Sequence, residues 1–177
     1  MTQNASPGPL PLGTPNPGAP YPAGWMAPPE LAATGRGLLV LDPRAPGWTL
    51  RLAASEEAVA VLLLDPARDG LLALAEVAAE RAPLGGLWLC GAGEAGRLQL
   101  GSATLTEAGL EARGWVLSAI GRSLHPRAVI RLDGAAAEGA SGARLMAALA
   151  HGTGRDVLAG EAVPCRAPAS AFAANAG

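Results

Sequence analysis

Four short apolar runs punctuate the chain: Gly37-Leu-Leu-Val-Leu-Asp42, Ala58-Val-Ala-Val-Leu-Leu-Leu-Asp65, Leu87-Trp-Leu-Cys90 and Ala128-Val-Ile-Arg-Leu132. Each is too short for a buried helix. Each also stops at an aspartate or a glycine, so each reads as a strand buried on both faces. Between them lie stretches with helical spacing. Asp69 caps a helix whose Leu71, Leu72, Ala75, Ala78 and Ala79 share one side, and Pro83 closes it. Thr106 caps a second helix, with Leu105 and Leu110 placed as a hydrophobic staple. Leu110, Leu117, Ile120 and Leu124 supply its buried side, and His125-Pro126 ends it. Ser141 opens a third helix carrying Leu145, Ala148 and Leu149, with Gly152 as its stop, and Arg155–Ala159 forms a last short strand. Strands alternating with helices predict an α/β fold with a mainly parallel sheet sandwiched by helices. Right-handed crossovers then bring the loops after Asp42, Asp65, Cys90 and Leu132 to one edge.

Three regions are expected. Residues 1–34 form a Pro/Gly-rich arm, residues 35–163 the α/β domain, and residues 164–177 an irregular tail. Proline fixes φ and removes amide donors, so the arm cannot form a helix or an interior strand. It is expected to be disordered unless docked, and Leu10, Leu12, Tyr21, Trp25 and Met26 are the side chains that would anchor it to another protein.

Composition excludes several classes. Thirteen basic residues, all arginine, are scattered against fifteen acidic ones, for a net charge of −2. With no basic stripe, nucleic acid is not an expected partner. The arginine-only set, with the excess of Gly, Ala and Pro, points to a GC-rich bacterial genome. No apolar run reaches the roughly 18 residues of a membrane span, and the first residues lack the basic-then-apolar pattern of a secretory leader. Cys90 and Cys165 are the two cysteines. Cys90 reads as a small buried hydrophobe, with a disulfide to Cys165 left open. His125 and His151 sit at helix ends, show no metal-ligand spacing with the cysteines, and read as surface or capping residues. No cofactor and no metal is expected.

The glycine turn after the third run has two readings. Gly91-Ala-Gly93-Glu-Ala-Gly96 matches the dinucleotide pattern G-x-G-x-x-G, with Glu111 about 20 residues on. That pattern needs its last glycine to open a helix, whereas Arg97–Gly101 alternates with period two and reads as a strand or hairpin arm. Nucleotide or small-ligand binding is therefore the alternative, and a structural turn the leading reading.

Three segments together resemble a bacterial domain of unknown function: LLLDPARDGLLALAEVAAE, GRLQLGSATLTEAGLEARGWVLSAIGRSLHPRAVI and GASGARLMAALAHGTGRDVLAG. That domain is found near the N-termini of large repeat-bearing, adhesin-like surface proteins and is similar to the caspase-type cysteine peptidases. The resemblance runs from Gly37 to Val163 and implies a caspase-like fold. In the family pattern the third strand ends in Ser-His-Gly and the fourth in Tyr-Gly-Cys. Here those positions hold Gly91-Ala92-Gly93 and Leu132-Asp133-Gly134. The histidine position is Ala92 and the cysteine position Gly134, so the resemblance implies a degenerate site without thiolate or base. The expected function is a non-catalytic interaction or structural module, with ligand binding at the glycine turn and a weak hydrolase using Cys90 as alternatives. Arg131 lies inside the fourth run. A buried arginine needs a carboxylate, so it is expected either to pair with Asp42, Asp65 or Asp133 at the sheet edge or to reach solvent.

Overall fold

The structure is a computed structural model that describes residues 37–55 and 59–160. Five strands, β1 (Gly37–Leu41), β2 (Val59–Leu63), β3 (Leu84–Cys90), β7 (Leu124–Leu132) and β8 (Asp156–Ala159), form one sheet in the order β2-β1-β3-β7-β8. Every pairing in it is parallel. The α/β class, the parallel sheet and all four apolar runs are as the sequence predicts. β3 begins three residues earlier than expected because Leu84-Gly85-Gly86 joins the ladder. Between β3 and β7 the register shifts beside Leu84 and Gly86. That irregularity accommodates Pro126, which has no N–H for a regular ladder.

A second, antiparallel sheet of three short strands follows β3: β4 (Ala92–Glu94), β5 (Arg97–Leu100) and β6 (Ala103–Leu105). The glycine turn is therefore the turn of a β-hairpin. Gly96 (φ 79°) turns β4 into β5, and a Cβ there would lie 2.5 Å from the Ser141 Cβ, so only glycine fits.

The helices divide unequally between the faces. Leu38, Val40, Leu87, Leu89, Ile130 and Leu132 share one core with α2 (Gly70–Glu80), α4 (Gly114–Ser123) and α6 (Gly139–Thr153). The other face carries a separate cluster of Leu39, Leu41, Val59, Trp88 and Cys90. Topology explains this. Only the β1-to-β2 connection runs one way along the sheet; the later ones run the other way, and right-handed crossovers put the two directions on opposite faces.

Several boundaries differ from expectation. The stretch around Trp48 is a short helix, α1 (Trp48–Ala54), rather than irregular. The expected Thr106 helix is two pieces, α3 (Glu107–Glu111) and α4, and Leu124 belongs to β7. The small-residue loop after Asp133 contains a one-turn helix, α5 (Gly134–Ala137). α6 begins at Gly139, with Glu138 rather than Ser141 in the cap position, and ends at Gly154, whose left-handed φ of 65° stops it. Gly152 is interior to α6. The two caps read from the sequence hold: Asp69 accepts from the amides of Leu71 and Leu72, and Thr106 from that of Gly109. The arm 1–34 with its five anchor candidates, the tail 164–177 and Cys165 lie outside the described residues.

α4 and α6 cross closely because small residues sit at the crossing. A Cβ on Gly121 would lie 2.0 Å from the Thr153 carbonyl oxygen, and one on Gly152 2.3 Å from Leu117 Cδ1. At Gly134 a Cβ would meet nothing within 4 Å. Gly121→Ala is therefore expected to destabilise the domain by about 2–3 kcal/mol in urea unfolding through overpacking against backbone. Gly134→Ala is expected to stay within about 0.5 kcal/mol of the parent.

Candidate functional site: the carboxyl edge of the sheet

In a sheet of this order the ligand crevice opens at the carboxyl ends of β1 and β3, where the winding direction reverses. Here the crevice is filled by the chain itself. β1 runs into Asp42, whose side chain is fully buried. Its Oδ2 accepts from the Gly101 amide (2.7 Å) and from Arg44 Nη2 (2.7 Å). Its Oδ1 accepts from the Arg44 amide (2.9 Å) and Nε (2.9 Å). Arg44 Nη2 also donates to the Gly101 carbonyl, so one guanidinium joins the end of β1 to the turn between β5 and β6. Burial pushes the Asp42 carboxyl up. The hydrogen bonds from Arg44 and Gly101 and the Arg44 charge together outweigh it, and the pKa falls below the ordinary aspartate value.

Gly101 is where three loops meet. It bridges Asp69, and a Cβ on it would lie 2.2 Å from the Arg68 carbonyl oxygen in the loop after β2. Its φ is 58°. A second ion pair lies on the Trp88 face. Arg51 of α1 reaches Asp133 at the end of β7 through Nη1 (2.8 Å) and Nη2 (3.4 Å). Burial lowers the Arg51 pKa; its bonds to Asp133 and to the Cys90 thiol outweigh that and raise it. Cys90 is buried, as read from the sequence, but lies against a cation rather than in purely apolar surroundings.

The positions of the expected degenerate dyad lie on neighbouring elements. Ala92 opens β4 directly after β3, and Gly134 opens α5 directly after β7. The Asp133 amide donates to the Leu89 carbonyl (3.1 Å), and the Gly96 amide to the Ala136 carbonyl (2.9 Å), so the hairpin carrying Ala92 packs on the helix that starts at Gly134. Neither residue has a side chain that exchanges a proton. The histidines are remote. His125 is the second residue of β7, at the opposite edge, eight residues before Asp133, or roughly 25 Å at strand rise. His151 lies in the last turn of α6, which feeds into the start of β8 at that same far edge.

Arg131 is a correction to the expected plug: among the described residues it pairs with none of Asp42, Asp65 or Asp133. It shares a register row with Leu39, Trp88 and Leu158, on the face away from Asp42. Asp65 lies in the loop after β2, three strands away, and instead accepts from the Ala67 amide (2.9 Å). Asp133 is on the Arg131 face but is held by Arg51. Arg131 itself is half-buried.

Sequence reasoning named two of the carboxylates and missed their partners, Arg44 and Arg51. The Arg113–Asp69 bridge (2.6 Å) was missed as well. Arg44 had a local signal, an arginine two residues after a strand-ending aspartate; Arg51 and Arg113 had none.

Elsewhere, a groove of about 700 Å³ is lined by residues that include Leu110, Leu117, Glu107, Glu111, Arg144 and His151. Among the described residues its lining holds no Ser, Thr or Cys side chain. Among the described residues no group of three His, Cys, Asp or Glu side chains could hold a metal ion, and no helix is long and apolar enough to cross a membrane.

A parallel sheet whose winding reverses at β1/β3, with that crevice closed by two ion pairs, defines a doubly wound α/β domain. The sequence profile of a domain of unknown function, DUF4347, matches residues 38–164, and the chain belongs to that family. No curated protein and no solved structure matches it.

The depressed pKa of Asp42 fixes the sign of its pH effect. Its contribution to stability is complete above the unfolded-state value of about 3.9 and is lost as pH falls through the folded-state value. Asp42→Asn is expected to cost about 2–3 kcal/mol near pH 7. In urea titrations at decreasing pH the gap between parent and variant should narrow below about pH 4. A gap independent of pH would show that the Asp42 charge is not what the network uses.

Proposed function

We propose that this domain is a caspase-like relative that has lost peptidase chemistry and serves as a non-catalytic interaction or structural module in a larger assembly. Residues 1–30 act as its docking strap. One observation carries the reading: Ala92 and Gly134, at the ends of adjacent parallel strands, offer neither nucleophile nor base, while the crevice beside them is filled by Asp42, Arg44 and Gly101. Acyl transfer needs a nucleophile in hydrogen-bond reach of a group that can take its proton. Arg51, a side chain against the Cys90 thiol, stays cationic and takes none.

The nucleotide alternative loses its main support at Gly96. That residue turns a hairpin, and β5 follows it in place of the helix whose amino end would meet a pyrophosphate. The resemblance to domains of large surface proteins suggests that the strap engages a protein of a surface or export assembly.

The test is affinity capture from the native source with the full chain and with a chain starting at residue 31. The same specific partner should be retained by the first and lost by the second. Retention by both would remove the strap from the proposal. Fluorogenic peptide libraries should show no turnover above buffer, and any turnover abolished by Cys90→Ser would return the domain to the hydrolases.

A further inference from the structure

We propose that β2 is a homotypic pairing edge, at which two copies of this chain join antiparallel about a two-fold axis to extend their five-stranded sheets into one. Among the described residues β2 has a partner on one side only, β1. The Leu64 amide donates to the Leu41 carbonyl (2.8 Å), so strand alternation turns the N–H and C=O groups of Val59, Val61 and Leu63 away from β1. An open row of such groups is a template for another strand, and proteins usually blunt it with charge, proline or a bulge. β2 has none of these: Val-Ala-Val-Leu-Leu pairs with β1 in unbroken register. The opposite edge strand, β8, is shorter and carries an exposed Asp156.

The self-complementarity of the run argues for a second copy as the occupant. Antiparallel pairing of Val59–Leu63 with itself about Val61 sets an apolar side chain opposite an apolar one at every position of the strand. Surrounding exposure agrees. Of the six exposed large apolar side chains among the described residues, four belong to β2 or to the helices before and after it in the chain: Leu50 and Leu52 on α1, Leu63 (48 % exposed) on β2, and Leu72 on α2. The arm of residues 1–30 is a poor rival occupant, because its prolines withhold ladder donors every second or third residue over most of its length.

Sedimentation velocity of the full chain over a concentration series tests the proposal. The expected result is a reversible dimer of twice 17.6 kDa. Val61→Pro removes an outward N–H and spares the β1 ladder; Leu63→Lys places a charge in the pairing row. Each should weaken the dimer by at least about tenfold while the circular dichroism spectrum of the fold is kept. If Val61→Pro fails to fold, Leu63→Lys decides alone. A parent chain that stays monomeric to about 100 μM, well above the range of specific association, overturns the proposal. So does a dimer unaffected by Leu63→Lys, or one lost only when residues 1–30 are removed.

Discussion

The buried carboxylate of Asp42 is the constraint on which the rest of this structure hangs. An isolated ionised aspartate without exposure to water would be prohibitively costly, so the chain must deliver donors to it from elsewhere. It does so locally through Arg44 and at long range through the Gly101 amide, 59 residues away. Meeting that demand sets the position of the whole antiparallel unit, because Gly101 belongs to the turn between β5 and β6. The turn approaches so closely that the Arg68 carbonyl leaves no room for a Cβ. One charged group thus ties together the end of β1, the loop after β2 and the second sheet. Such a buried ionic network is weak evidence of stability compared with an apolar plug of equal volume; what it fixes here is the relative placement of loops.

That placement bears directly on function. Open α/β sheets hold ligands where winding reverses, since the diverging crossovers leave a crevice there. In this domain the same divergence leaves α1 as the one described helix on the Trp88 face, and α1 sends Arg51 back across the strand ends to Asp133 and Cys90. Both sides of the switch point are consequently occupied by intramolecular ion pairs. A ligand entering there would have to break hydrogen bonds to charged groups.

How much of this could be read from the chain follows from the range of each interaction. The strands were legible because a strand buried on both faces is apolar at every position, a signal contained within five to eight residues. The caps at Asp69 and Thr106 were legible for the same reason. α1 was not: Trp48, Leu50 and Leu52 alternate with period two, and Pro43, Pro46 and Gly47 stand just before them, so local pattern argued against a helix, and its long-range tie, Arg51 to Asp133, spans 82 residues. The break between α3 and α4 was hidden by a continuous apolar stripe. Arg113, at that break, turns its side chain to Asp69, 44 residues earlier. Arg131 drew attention because it interrupts an apolar run, whereas the arginines that do hold the edge sit in stretches where an arginine is unremarkable.

The site positions show a related asymmetry. A glycine at position 134 is not enforced by space, since a side chain there would meet nothing, whereas Gly96 and Gly101 admit no Cβ at all. Space also requires glycine at Gly91 and Gly93, on either side of Ala92, where a Cβ would lie 2.1 Å from the Gln99 carbonyl oxygen and 2.5 Å from that of Arg97. The residue at the expected nucleophile position is free to vary as far as packing is concerned. Packing therefore fixes the backbone on both sides of Ala92, where the hairpin strands meet, and leaves position 134, at the start of α5, open to a side chain.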